Sequence, residues 1–194
     1  LVTKMKTASI IIIGNEILSG RTKDTNSNYL AKILVEKGIE LQEVRVIPDS
    51  HNIIKSVINS ESFLKDYVFT SGGIGPTHDD ITAEAVASSF DVPLIVRDDA
   101  VELLAMNYKN GKKDLNAARL RMARIPEGAK LIKNNISGAP GFIIKNVFVM
   151  AGVPQIFEAM VEEISLDLDQ IEPILSKTIK IFRKESEISE RLWQ

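Results

Sequence analysis

The stretch Tyr67-Val68-Phe69-Thr70-Ser71-Gly72-Gly73-Ile74-Gly75-Pro76-Thr77-His78-Asp79-Asp80-Ile81 decides how this chain is read. Its first four residues are aromatic or β-branched, the types that pack well on a pleated sheet. Three glycines follow within four positions, and Ile81 to Phe90 then carries the pattern of a helix. Strand, glycine loop and helix in that order aim backbone N–H groups at an anion. Glycine serves there because it tolerates positive φ and lets a ligand approach the backbone. Two common phosphate loops are excluded. A dinucleotide fingerprint needs a third glycine where His78 stands, and a Walker loop needs a Gly-Lys-Ser/Thr that is absent. A glycine cluster alone also fits a tight turn with no ligand.

Outward from this loop, strand-like and helix-like segments alternate, which points to an α/β fold with a mostly parallel sheet between two helical layers. Upstream, Ser9 to Ile13 reads as a buried strand, Asp24-Thr25-Asn26 as the cap of a helix stopped by Gly38, Leu41 to Ile47 as a strand and Asn52 to Leu64 as a helix. Downstream, helices are expected over Asp98 to Tyr108 and Leu115 to Arg124. Strands are expected near Leu131 and over Ile143 to Met150, and Pro154 opens a last helix.

The 194 residues suit one domain with a sizeable core, and a net charge of −2 gives no global pull toward nucleic acid or anionic membrane. Cysteine is absent, which removes disulfides, thiolate zinc sites and cysteine nucleophiles; with two histidines, His51 and His78, any metal must be held mainly by oxygen. No apolar run approaches the roughly 18 residues of a membrane span, so the expectation is a cytoplasmic protein without membrane or nucleic-acid partners. Leu1 to Lys4, ahead of Met5, carry no argument. Lys109 to Arg124 holds six bases and one acid, and Gln155 to Leu175 six acids and no base. Both read as solvated faces, or as surfaces that pair between subunits of a homo-oligomer.

The chemistry centres on Asp79 and Asp80, expected in the first turn of the helix after the loop, where the macrodipole favours negative charge. One of them is explained by capping; the pair suggests carboxylates that hold a magnesium-like ion beside a phosphate, since such an ion takes one or two carboxylates and keeps several waters. Glu16, just past the first strand, is a third candidate metal ligand. Both segments fall at strand carboxyl ends, where open α/β sheets bind ligands.

Taken in order, Gly14-Asn15-Glu16-Ile17-Leu18-x-Gly20, Asp24-Thr25-Asn26-x-x-Tyr29-Leu30, Ser71 to Thr82, Asn116-x-x-Arg119, Ala139-Pro140-Gly141-Phe142 and Gly152-Val153-Pro154 resemble the MoaB/Mog molybdopterin-binding domain family. Within that family they are most similar to the amino-terminal domain of the competence/damage-inducible A (CinA) type. The resemblance covers about Ser9 to Met160, and its most specific block is the glycine loop. It implies a three-layer α/β/α domain over residues 5–165, with 166–194 as an extension that resembles the opening of a second, truncated domain. It implies homo-oligomers, a pterin or nucleotide diphosphate as ligand, molybdopterin among the candidates, and a divalent metal. By the same resemblance Ser71, Gly72, Gly73, Gly75, Thr77, Thr82, Asn26, Asn116, Arg119 and Gly141 are ligand-binding positions, and Asp80, with Asp79, serves the chemistry. Asn15, Ala83 and Ala151 depart from the family pattern; the first stands where cofactor-insertion relatives carry aspartate.

Three functions remain open at this point: a binding domain for a pterin or nucleotide diphosphate, a metal-dependent pyrophosphatase acting on ADP-ribose- or FAD-like dinucleotides, and a non-catalytic regulatory module.

Overall fold

The computed structural model describes residues 5–169. Its main sheet has six strands in the order β2-β1-β3-β8-β7-β6, the first four parallel and the last two antiparallel to their neighbours. The strands are β1 (Lys6–Ile13), β2 (Ile39–Ile47), β3 (Tyr67–Ser71), β6 (Lys130–Ile132), β7 (Gly141–Ile144) and β8 (Val147–Met150). A separate antiparallel pair joins β4 (Leu94–Val96) to β5 (Arg124–Pro126).

The strand Lys6–Ile13 shows why the sheet is covered on both sides. Successive side chains point to opposite faces, so Ile10 and Ile12 enter one core while Ile11 and Ile13 enter another. The first core is closed by Leu30 and Leu34 of α2 (Asn26–Glu36) and by Phe157, Met160, Val161 and Ile164 of α7 (Pro154–Ser165). The second is closed by Ile54, Val57 and Ile58 of α3 (His51–Leu64) and by Ala85 and Val86 of α4 (Thr82–Ser89). Each fully buried isoleucine contributes about 1.5–3 kcal/mol relative to exposure, which is why an unbroken β-branched run belongs at the sheet's centre. The three-layer α/β/α expectation is met.

Three local expectations are corrected. Asp79 and Asp80 lie ahead of α4, which begins at Thr82 with Ile81 as its N-cap, so neither sits in the first helical turn. Leu115 to Arg124 is no continuous helix: a 3₁₀ turn (Gly111–Asp114) leads to the short α6 (Ala117–Arg121), and Arg124 already belongs to β5. Ile143 to Met150 is a hairpin, turned at Lys145 with φ +52°. Asp98 to Tyr108 forms the shorter α5 (Asp98–Ala105). The expected extension lies, from residue 170 onward, outside the described residues. Among the described residues no helix is long and apolar enough to cross a membrane.

Candidate functional site

The parallel strands reverse their order of addition at β1 and β3: β2 lies on one side of β1, and the chain then crosses to place β3 on the other. Ligands of open α/β sheets bind beyond the strand carboxyl ends at such a switch point. A cleft of about 500 Å³ lies there, lined from the ends of four strands: Ile13 at the end of β1 and Glu16 beyond it, Asp49 after β2, Gly72 to Pro76 with Asp79 and Asp80 after β3, and Ala151 to Pro154 after β8. Ser137 and Ala139 close it from the loop between β6 and β7.

The glycines are demanded by packing. Gly72 (φ +110°) lies against the end of β1, and a Cβ there would collide with the Ile13 carbonyl. Gly73 (φ +70°) lies against Thr82, whose buried hydroxyl donates to the Gly72 carbonyl at 3.0 Å while its N–H donates to the Gly73 carbonyl at 3.0 Å. A Cβ on Gly152 would come within 3.1 Å of the Gly72 Cα. The Gly72 N–H is used by the Met150 carbonyl at 3.0 Å, and the Thr77 N–H by Asp80 at 2.8 Å. Among the described residues, the N–H groups of Gly73, Ile74 and Gly75 have no protein partner. Such a run of free donors at a strand end is the local geometry of an anion nest.

Asp80 and Asp79 both line the cleft. The Asp80 carboxylate accepts from the Thr77 hydroxyl at 2.5 Å as well as from its N–H, and Arg121 Nη2 donates to the Asp80 carbonyl at 3.3 Å. Asp49 was not singled out in the sequence. Its carboxylate accepts from the Asn15 N–H at 2.9 Å and borders the same cleft. The available signal was its position two residues past a strand, at the same edge as the other loops.

Glu16 borders the cleft too, with its carboxylate folded back over Gly14. Among the described residues, no three acidic or histidine side chains converge to hold a metal ion, so Glu16, Asp79 and Asp80 do not form a ready-made three-ligand set.

The other expected positions divide. Ser71, Gly72, Gly73, Gly75, Thr77 and Thr82 build the loop, Thr82 as its buried clamp. Asn26 joins it through Nδ2, which donates to Ser71 Oγ at 2.8 Å and to the Gly152 carbonyl at 2.9 Å. Its helix is capped by Asp24, whose carboxylate accepts from the Asn26 N–H at 2.9 Å. Asn116, Arg119 and Gly141 do not line the cleft. Asn116 caps α6 by accepting from the Arg119 N–H at 2.9 Å, and the Arg119 guanidinium lies 4.3 Å from the Tyr108 ring centroid. Gly141 is required for packing, since a Cβ would strike the Val149 carbonyl. Asn134 was also missed. Only 7% exposed, it accepts from the Ile136 and Ser137 N–H groups at 3.1 and 2.8 Å, shaping the loop that carries Ser137 into the cleft wall.

Comparison with known proteins agrees with this fold. A protein of Archaeoglobus fulgidus is 39% identical over 155 residues, covering 80% of this chain and 66% of that protein. A CinA-like protein of Sulfurihydrogenibium is 38% identical over 159 residues, covering 79% of this chain and 40% of that protein. The chain thus spans two thirds or less of the length of these relatives. The crystal structure of the protein CinA, of unknown function, from Thermoplasma acidophilum superposes with a TM-score of 0.77 at 34% identity, covering 85% of this chain and 99% of that one. The tungsten cofactor synthesizing protein MoaB from Pyrococcus furiosus shares the fold, at TM-score 0.55 and 19% identity over 86% of this chain and 94% of that one. Residues 9–173 match the model of the probable molybdopterin binding domain. With that match spanning the cleft and all but the first residues of the sheet that builds it, the chain belongs to the probable molybdopterin binding domain family, on the CinA-like side of it.

Proposed function

We propose that this domain binds the diphosphate group of a pterin or a nucleotide in the cleft between the glycine loop and the Ala151 to Pro154 turn. The three consecutive unpartnered N–H groups of Gly73, Ile74 and Gly75 carry the reading. They lie at a strand carboxyl end, on a backbone locked by Thr82 and Gly152. Preorganised N–H donors hold phosphate oxygens without reorganising as charge builds.

The cleft's own charge adds a second element. Its lining holds four carboxylates, Glu16, Asp49, Asp79 and Asp80, and no lysine or arginine. A diphosphate placed there meets like charge unless a cation accompanies it. A divalent ion of the magnesium type would be held by Asp79, Asp80 or Asp49 together with the diphosphate, and when bound it supplies positive charge to the phosphate oxygens. This chain's residues do the rest. The loop N–H groups orient the diphosphate, Thr77 fixes the Asp80 carboxylate, and Asp80 or Asp49 holds a water by accepting its proton-bearing side.

That arrangement favours a second reading, hydrolysis of the bound diphosphate of an ADP-ribose- or FAD-like dinucleotide, because carboxylates beside an oriented phosphate suit water activation. The third reading, a module without turnover, needs only the fold. Self-association is part of the proposal as well, with the acidic face of α7 opposite the Lys109 to Arg124 face of a second copy. Lys112 and Arg124 already pair with Glu102 and Glu84 within the chain and Arg119 lies over the Tyr108 ring, leaving Lys109, Lys113 and Arg121 as the contributors.

Calorimetric titration with inorganic pyrophosphate and ADP, with and without magnesium, tests the binding reading. Magnesium-dependent, mutually competitive binding is expected, and no binding of either anion overturns it. Incubation with ADP-ribose and FAD plus a divalent ion, followed by assay for a monophosphate product, separates hydrolysis from binding alone. Light scattering gives the mass in solution, and a 21.5 kDa species would remove self-association.

A further inference from the structure

We infer that Arg121 is a positioning residue for the bound diphosphate: from behind the glycine loop it holds the Asp80 end of the loop and supplies positive charge to the anion on the loop's other side. The inference rests on the diphosphate reading and deepens it by assigning this chain's own cation to that site.

Ile74, Gly75 and Asp80 border two spaces at once. On one side is the cleft; on the other is a void of about 10 Å³, walled also by Arg121, Arg124 and Phe142. A void of that size holds at most a single water, so this stretch of loop is a thin partition with two arginines behind it. Arg121 is the last residue of α6, and the turn through Met122 and Ala123 into β5 sets Arg124 beside it. Arg121 Nη2 donates to the Asp80 carbonyl at 3.3 Å, across 41 residues of sequence. The contact pins the backbone of the residue whose carboxylate holds the Thr77 N–H and hydroxyl.

Charge pairing separates the two arginines. Arg124 Nη1 lies 2.6 Å from Glu84 Oε1, which offsets its charge. Half-buried Arg121 has no ion-pair partner among the described residues. The Asp80 carboxylate is turned to Thr77 instead, and Arg121 Nε is buried without a hydrogen-bond partner. A guanidinium does not lose its proton in a protein, and a charge drawn partly out of water is ordinarily paired. An anion in the nest of the Gly73, Ile74 and Gly75 N–H groups, across the partition, provides the missing counter-charge. Protein rather than water fills the space between, so the attraction exceeds that of exposed charges at equal separation. Four carboxylates and no lysine or arginine line the cleft itself, so the protein's share of positive charge comes through its wall. A cation in the last turn of a helix also suits the helix dipole, but α6 has only five residues and Arg119 already serves that turn.

The test titrates the full chain with inorganic pyrophosphate at a fixed excess of magnesium, for wild type, Arg121→Lys, Arg121→Gln and the control Lys113→Gln, which removes the same charge from an exposed site. Arg121→Gln is expected to bind about tenfold more weakly, as loss of one nearby charge implies. Arg121→Lys, which keeps the charge, is expected to recover most of that loss, and Lys113→Gln to match wild type. The gap between wild type and Arg121→Gln should persist from about 0.05 to 0.5 M sodium chloride, since a half-buried charge is screened less than an exposed one. If Arg121→Gln does not fold, Arg121→Met takes its place with the same expected loss. Wild-type affinity in the neutral variant overturns the inference. Equal weakening of the lysine and neutral variants does so too, because packing alone then explains the loss. Light scattering on each variant covers self-association: weaker binding that follows a fall in mass also overturns it. These outcomes leave the diphosphate reading in place, whereas failure of wild type to bind pyrophosphate removes both.

Discussion

Asp80 and Thr77 close a ring across the end of the glycine loop: one oxygen of the Asp80 carboxylate accepts from both the N–H and the hydroxyl of Thr77, at 2.8 and 2.5 Å. Among the described residues the other Asp80 oxygen has no protein donor, and Asp80 borders the cleft. A Cβ on Gly75 would come within 2.6 Å of the engaged oxygen, so the absence of a side chain at Gly75 is what lets the ring close. The first prediction follows from this ring. Asp80→Asn keeps an oxygen that accepts from Thr77, so the melting temperature should change little. The charge beside the bound diphosphate is lost, and any divalent-dependent cleavage should fall by about a hundredfold or more. Equal turnover by variant and wild type would refute a chemical role for Asp80.

Two glycines with nearly the same φ give a matched pair of substitutions. Gly73 has φ +70° and its missing Cβ would collide with the Thr82 hydroxyl, while Gly20 has φ +73° with nothing within 4 Å. Gly20→Ala should cost about 1 kcal/mol, the conformational term alone, and leave pyrophosphate binding intact. Gly73→Ala should cost more, roughly 2–4 kcal/mol, and abolish binding because the loop must move off Thr82. Thermal melts and titrations of both variants check this.

Removing divalent ions should matter more here than in a cleft with basic residues. Because four carboxylates and no lysine or arginine line the cleft, treatment with EDTA should weaken pyrophosphate binding by at least about tenfold, and added sodium chloride should not restore it. Asp49→Asn, which retains an acceptor for the Asn15 N–H now bound at 2.9 Å, should raise the magnesium concentration needed for binding. Binding that is indifferent to EDTA would show that the loop N–H groups suffice.

At the opposite end of the sheet, Asp66 ties β1 to β3. It accepts from the Thr7 N–H at 2.9 Å, from the Thr7 hydroxyl at 3.1 Å and from Lys6 Nζ at 3.0 Å. The Thr7 N–H, then Lys6, hold its carboxyl below the ordinary value. A carboxylate whose folded pKa lies below its unfolded value of about 3.9 contributes stability that is fully present above that value and is lost as pH falls through the folded one. Asp66→Asn should therefore destabilise by about 1–2 kcal/mol at neutral pH, with a gap to wild type that narrows below about pH 4. Denaturant melts from pH 7 to pH 3 give the comparison, and a gap that stays constant would exclude Asp66 as its origin.

By itself the sequence determined the layers and the loop. The run Ile10 to Ile13 could only be a covered strand, because alternate residues of a strand face opposite sides and all four are apolar. Ser71 to Thr77 read as the loop between a strand and a helix, because three glycines within four positions mark a tight turn there. What runs over Leu115 to Arg124 and Ile143 to Met150 was not legible, since short segments satisfy helix, 3₁₀ and hairpin patterns alike until packing chooses among them. The membership of the cleft was decided by tertiary structure alone. Asp49 is 22 residues from Ser71 at the start of the loop, yet the parallel pairing of β2, β1 and β3 brings their carboxyl ends to one edge. Arg119 is drawn off to Tyr108, and Asn26 is turned inward, its amide donating to Ser71 and to the Gly152 carbonyl. A single chain's pattern records which residues prefer burial, turns or caps. It does not record which strand ends lie together, because that is fixed by crossover connections between segments far apart in the chain.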